Sequence, residues 1–308
     1  MLFAILCLLV SYYELRTSRF QAWYFSKVAQ DLTFRLKPGQ SNSIRFPKYG
    51  PHDIRLGYTK IPQFVKYFSK EGFYVEAQAE ISDRLLGLID RGIFPIYREK
   101  TQAGLQIFDR YNKLVYSVRR PGKVYSSFES IPQIVVDSLL FIENREILDS
   151  DYPYRNPAVE WDRFAYALYE KFLQIFQPQR SATGGSTIAT QLEKYLHSYE
   201  GRTRNASDKL QQMLSASYRA YLEGEKTYGV RREIVLDYIN SIPLSALPGY
   251  GEVNGLSDGL KAWYSVDLEE VNSLLSEYSQ ENAKFNAQKY AMAYKQVLSL
   301  FIAHRRPS

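Results

Sequence analysis

The sequence predicts a mainly α-helical protein, with a small α/β region ahead of its helical part and an apolar segment at its N-terminus. Three patterns predict it. Val136, Leu140 and Glu143 recur at i, i+4 and i+7 after Pro132, so that stretch reads as a one-sided helix. Ile188, Leu192 and Tyr195 repeat the same spacing directly after two glycines. Strand character is confined to short runs near 73–77 and 105–118.

From Met1 to Tyr13 the chain is apolar apart from Ser11, and Glu14 is the first charge. That run is shorter than the roughly 20 residues that span a bilayer. A secretory leader fits poorly, since neither a basic n-region nor a small-residue cleavage site is present. The segment reads instead as a truncated or tilted anchor, continued by the aromatic stretch Phe20 to Phe25 at the membrane interface. Residues 1–25 are therefore expected to be a membrane anchor. The short apolar start and the basic end, Arg305-Arg306-Pro307-Ser308, both fit a piece of a longer chain.

Residues 26–103 read as a small α/β domain. A polar stretch at 37–43 and two prolines at 47 and 51 precede a helix expected at Pro62–Glu71 and a strand at Phe73–Ala77. A second helix follows an N-cap at Ser82 and runs to Asp90. Leu105 to Arg110 and Leu114 to Val118 alternate about a turn at Tyr111–Lys113, as a hairpin does. Residues 104–308 form the larger domain.

Composition narrows the function classes. With 45% hydrophobic and 23% charged residues the chain is ordinary globular protein. A single Cys7 excludes an internal disulfide, and His52, His197 and His304 without a second cysteine argue against structural zinc. The net charge of +6 suits an anionic partner. The 26 tyrosines form no RNA-binding pattern, so nucleic acid is not expected.

The chemistry concentrates at two places. In Gly184-Gly185-Ser186-Thr187, glycines run into a helix expected to begin at Ser186 or Thr187. Its free N–H groups and positive dipole end would face a phosphate over residues with no side chain to block it. Thr187, Gln191 and Lys194 share the neighbouring face. At the second place, Glu143 sits on an apolar stripe, and a carboxylate among apolar neighbours is a better proton acceptor than a solvated one. Arg145 is its nearest expected partner in sequence. Arg231 and Arg232 stand in a helical first turn, where their charge opposes the dipole and invites a partner.

Gly184-Gly185-Ser186-Thr187 with Gln191 and Lys194 resembles the second signature motif of the peptidoglycan glycosyltransferases, glycosyltransferase family 51, which polymerise lipid II. Glu143-Asn144-Arg145 stands where the family has Glu-Asp-Arg, and Lys209 falls in its Arg-Lys-x-x-Glu position. Ile234 to Asn240 resembles its Ile-Leu-x-x-Tyr-Leu-Asn helix, Asn254-Gly255 its Tyr-Gly element and Trp263-Tyr264 its Tyr-Phe pair. The resemblance covers roughly residues 104 to 275 and implies a lysozyme-like fold for the larger domain. It implies that Glu143 deprotonates the acceptor sugar's 4-hydroxyl, which attacks the donor's anomeric carbon as lipid pyrophosphate leaves. Gly184, Gly185, Ser186, Thr187, Gln191, Lys194, Lys209 and Asn240 are then the expected substrate-binding residues, although Asn240 serves equally as a cap or turn residue. The resemblance also implies a divalent cation, magnesium or manganese. It further implies lipid II, the nascent glycan strand, the membrane and other cell-wall synthesis proteins as partners, and a place on the outer face of the bacterial cytoplasmic membrane.

The departures from the pattern are specific. Gln212 occupies the position of the family's second catalytic glutamate and Asp208 that of its arginine. Asn144 replaces the first motif's aspartate, Ile147 its aromatic residue, and no histidine precedes Asn156-Pro157. Glutamine hydrogen-bonds but brings no negative charge. Glu193, Asp208 and Glu223 are the carboxylates that could stand in. Two other readings follow: a degenerate member that binds lipid-linked glycan or a cell-wall partner without turnover, and a glycan-cleaving enzyme on a related fold, which would also want a second carboxylate.

Overall fold

The computed structural model describes residues 2–47, 49–97, 99–163, 165, 166, 169, 186–277 and 286–305. In chain order its longer elements begin with α1 (Leu2–Thr17), α2 (Arg19–Ala29), β1 (Phe34–Pro38), α3 (Pro51–Arg55), α4 (Ile61–Lys70), β2 (Ala77–Ile81) and α5 (Asp83–Asp90). The strands β3 (Ala103–Phe108) and β4 (Leu114–Arg120) lead to α6 (Gln133–Glu143), and α7 (Ile188–His197), α8 (Ala206–Ala220) and α9 (Tyr228–Ser241) follow. The strands β5 (Pro243–Leu247) and β6 (Gly251–Asn254) precede α10 (Gly255–Tyr264), α11 (Leu268–Glu277) and α12 (Ala287–Arg305). The chain is mainly helical, as its periodicity predicts.

Its residues divide into two compact units interleaved in sequence, residues 1–97 with 148–231, and residues 98–147 with 232–308. The boundary falls inside α9. In the first unit, Val28, Leu32, Leu85, Leu88, Ile93 and Ile96 close a core on Tyr218 of α8. Ala22 packs with Ala220 and Tyr221. Phe94 N–H donates to Ser215 Oγ at 3.0 Å, and Asp53 accepts from buried His197 at 3.1 Å.

In the second unit, α6 packs on α12, which also meets α10, α11 and β5. Val135, Val136 and Leu139 of α6 are buried, as are Val297, Leu300 and Phe301 of α12. Gly259 allows the close approach of α10, since a Cβ there would meet Leu300 Cδ1 at 3.0 Å. Gly255 is required for its conformation: φ is +79°, and an added Cβ would run into the Asn240 carbonyl.

Local signals set the helices well. Ser82 caps α5 by accepting from Leu85 N–H at 3.3 Å, and Pro132 precedes α6 as its N-cap. The 105–118 hairpin forms between β3 and β4, its turn held by Asp109 Oδ1, which accepts from Tyr111 and Lys113 N–H at 2.8 and 2.9 Å. The strand expected at Phe73–Ala77 lies further on, at β2. Gly72, with φ +87°, turns the chain out of α4, and pairing starts only where β1 runs antiparallel, Pro38 opposite Ala77 and Leu36 opposite Ala79. Arg35 and Lys37 both bind Glu80 across this pair, and the polar stretch expected at 37–43 leaves the strand after Pro38.

No helix among the described residues is long and apolar enough to cross a membrane. Helix α1 has 16 residues, about 24 Å at 1.5 Å per residue, against a hydrocarbon core of about 30 Å. The expected membrane segment is therefore not a spanning helix, although Phe3, Leu8, Leu9, Val10 and Tyr12 of α1 are exposed.

Candidate functional site

In the first unit, α7 begins where the motif predicts. Thr187 is its N-cap and forms a reciprocal box with Thr190: Thr187 Oγ1 accepts from Thr190 N–H at 3.2 Å, and Thr190 Oγ1 accepts from Thr187 N–H at 3.0 Å. Thr187 thus serves the start of the helix and is buried. Ile188 and Leu192 are buried, as the apolar stripe requires. Gln191 is also buried and accepts from Tyr195 Oη at 2.9 Å. Gly184 and Gly185 lie outside the described residues.

Lys209 reaches this helix start from the first turns of α8, which Asn205 caps by accepting from Asp208 N–H at 2.8 Å. Its Nζ donates to Ser186 Oγ at 2.8 Å and to Thr190 Oγ1 at 3.4 Å. Among the described residues no carboxylate stands within ion-pair distance of this ammonium. Burial first, and the charge of Lys194 second, pull its pKa down from 10.5 to about 8. A half-buried ammonium that repels a second one, beside the positive end of a helix, is an environment completed by an anion.

Gln212 lies one turn along α8 and is 1% exposed. Its Nε2 donates to Ser198 Oγ at 2.9 Å, and its Oε1 accepts from Thr203 Oγ1 at 3.0 Å. Both ends of the amide are therefore engaged. Of the stand-in carboxylates, Glu193 Oε1 accepts from Arg219 Nε at 2.7 Å while its buried Oε2 has no hydrogen-bond partner among the described residues, Asp208 Oδ2 accepts from Arg204 N–H at 3.0 Å, and Glu223 is exposed. Arg204 holds Asp208 below the usual carboxylate range, mainly through that backbone bond. No group of three His, Cys, Asp or Glu side chains gathers as a metal site among the described residues. Gln212 brings no charge, and the ammonium at Ser186 is that of Lys209, on which the like charge of Lys194 already acts, so these residues do not fit a divalent cation.

Arg231 is fully buried, donating to the Asp149 and Tyr152 carbonyls at 2.9 and 3.1 Å. Burial lowers its pKa. Its charge serves those carbonyls, and the helix starts earlier than expected, at Tyr228. Asn156 is buried too, donating to Gln21 Oε1 at 3.1 Å and Ser217 Oγ at 3.0 Å.

In the second unit Glu143 closes α6 with 4% of its surface exposed. Its partner is not Arg145. Arg145 stacks on Phe141, 4.1 Å from the ring centroid, while Arg305 Nη1 at the end of α12 donates to Glu143 Oε2 at 2.9 Å. Arg305 sits at a helix C-terminus, where a cation is favoured. Asn144 is buried and Ile147 fills the aromatic position as a core side chain. Removing Arg305 takes one charged hydrogen-bond donor from a buried carboxylate, so Arg305→Ala is expected to cost about 1–2 kcal/mol, discounted for its partial exposure. Urea unfolding checks this, and Glu143→Gln/Arg305→Ala should recover most of the loss.

Asn240 is engaged by backbone groups. Its Oδ1 accepts from Tyr125 N–H and its Nδ2 donates to Tyr125 C=O, both at 2.9 Å, which clamps the chain before α6 to α9. With both amide ends buried on backbone, it is a positioning residue. Asn240→Ala should cost about 2–3 kcal/mol through two orphaned backbone groups, read as a lower midpoint in urea. Trp263 and Tyr264 remain 42% and 38% exposed at the end of α10.

A model of the transglycosylase family matches residues 111–300. The chain belongs to the transglycosylase family. The match runs from the turn after β3 into α12 and takes in Glu143, Ser186, Lys209 and Asn240. Membership carries the general activity, glycosyl transfer in peptidoglycan synthesis, and the mainly helical architecture is consistent with a lysozyme-like transglycosylase domain. No curated protein matches the chain. Two residues of this transglycosylase that sequence reasoning missed are Arg305, read only as part of a basic end, and Thr190, whose spacing from Thr187 is that of a capping box.

Proposed function

We propose that this transglycosylase polymerises lipid II into glycan strands with release of lipid pyrophosphate. Lys209 carries the reading: a partly buried ammonium with its pKa lowered to about 8, 2.8 Å from Ser186 Oγ at a helix N-terminus. Charge builds on the leaving pyrophosphate as the glycosidic bond breaks, and preorganised donors stabilise it there. Lys209, Lys194 and the Ser186 hydroxyl supply them in this reading. Glu143, buried and accepting from Arg305, takes the proton of the acceptor hydroxyl. The exposed apolar side chains of α1 support a protein held at the outer face of the cytoplasmic membrane, where lipid II is used.

Polymerisation of labelled lipid II by the detergent-solubilised chain tests this, with magnesium, manganese or a chelator deciding on the cation that the family implies. Short oligomers that vanish in Glu143→Gln are the expected result. Lipid II binding without product would favour the second reading, a binding protein on an enzyme's fold.

Gln212 is the observation that favours that second reading. As a carboxylate it could no longer donate to Ser198 Oγ, and its charge would be buried. Gln212→Glu is therefore expected to cost about 1–3 kcal/mol and to yield no additional product. A gain in product would instead make this position catalytic.

A further inference from the structure

Helix α4 and the turn after it carry an aromatic surface that the described residues leave open. Phe64, Tyr67 and Phe68 are 57%, 60% and 46% exposed, and Phe73 and Tyr74 are 64% and 86% exposed. The rings cluster: the Phe68 centroid lies 5.4 Å from Tyr67 and 5.5 Å from Phe73. No residue of α4 is buried, and only Ile61 and Val65 are half-covered. The helix is held by one edge of its apolar face while the aromatic edge stays bare. At 100° per residue, Lys66 and Lys70 fall opposite Phe64 and Phe68. Lys60 stands just before the helix, and Glu71 is the one carboxylate between positions 60 and 75.

We propose that α4 with Phe73 and Tyr74 is an interfacial membrane element. It lies in the plane of an anionic bilayer, its rings in the boundary between headgroups and acyl chains and Lys60, Lys66 and Lys70 on lipid phosphates. Aromatic side chains on one face and lysines on the other are the composition of such helices. The apolar surface also continues past the helix end into Phe73 and Tyr74, which suits a plane better than a groove shaped for one helix. The excess of lysine over carboxylate complements anionic headgroups. The segment lies outside the matched residues 111–300, so it is a feature of this chain rather than of the matched domain. The choice of lipid as occupant rests on the membrane-side function proposed above, but its test is local to residues 61–74 and reads out whether or not lipid II is polymerised.

Hydrogen exchange of the full chain with vesicles of phosphatidylglycerol and phosphatidylcholine, with phosphatidylcholine alone, and without vesicles decides it. The amides of 61–74 should slow severalfold on the anionic vesicles. Phe64→Ser/Phe68→Ser should lose that protection while exchange in α7 stays unchanged, which separates lost contact from lost fold. Lys66→Gln/Lys70→Gln should raise the lipid concentration for half-protection on the order of tenfold. Exchange of 61–74 that ignores anionic vesicles overturns the proposal. So does protection that appears without vesicles and grows with protein concentration, which would make the aromatic face a contact between copies of the chain.

Discussion

Glu143→Gln should reduce lipid II polymerisation by a factor of about 10² to 10⁴, the usual contribution of a positioned general base. The substitution keeps shape and keeps an oxygen that can accept from Arg305, 2.9 Å away. The loss should therefore fall on kcat, with KM for lipid II little changed, because no role in binding lipid pyrophosphate is assigned to this side chain. A variant that retains activity within about tenfold would remove Glu143 from the chemistry, since a positioned base contributes more than that. One that loses activity only by unfolding would show it in urea.

The second large effect belongs to Lys209. Lys209→Met should lower kcat by roughly 10²-fold, the scale seen when one preorganised donor to a developing oxyanion is removed. Its pH dependence gives an independent signature. The ammonium titrates near 8 in the folded protein and near 10.5 in the unfolded chain, so between those values the unfolded chain holds more protons. Folding stability therefore rises with pH across that window, and the full penalty for the buried charge is present below 8. Anion affinity runs the other way. Above pH 8 the free protein must first take up a proton, so affinity should fall about tenfold per pH unit. Lys209→Met should flatten both dependences and gain rather than lose stability at neutral pH, as expected of a charge kept for function. Binding of inorganic pyrophosphate followed by calorimetry, with urea unfolding at each pH, measures both.

Features written in a few neighbouring residues are legible in the sequence itself. The Ser82 cap, the Pro132 start of α6 and the start of α7 are local chemistry, and burial of Glu143 follows from its place on an apolar stripe. Features created by distant residues are not legible there. Strand β1 pairs with β2, where Arg35 stands opposite Glu80, 45 residues downstream, and Asn240 finds its partner at Tyr125, 115 residues away. A counterion of Glu143, Arg305, lies 162 residues downstream, past any spacing rule. The resemblance implies that Lys209 and Ser186 serve one site, but the lowered pKa depends on burial, which sequence does not state. Thr187 has a role that the motif does not name: a threonine at a helix start caps the helix.

The interleaving of the units has a consequence for how the chain is made. Val28, Leu85 and Ile96 leave the ribosome long before Tyr218, against which they pack, and His197 follows Asp53 by 144 residues. The first unit cannot close until Tyr218 and its neighbours have been synthesised, so its earlier apolar segments wait, exposed, while the intervening residues are made. Contacts of such separation are formed slowly and late, and a half-made core of this kind is a substrate for chaperones and for aggregation. Supplying a holdase during synthesis should therefore raise the yield of folded protein more than lowering the temperature after synthesis is complete.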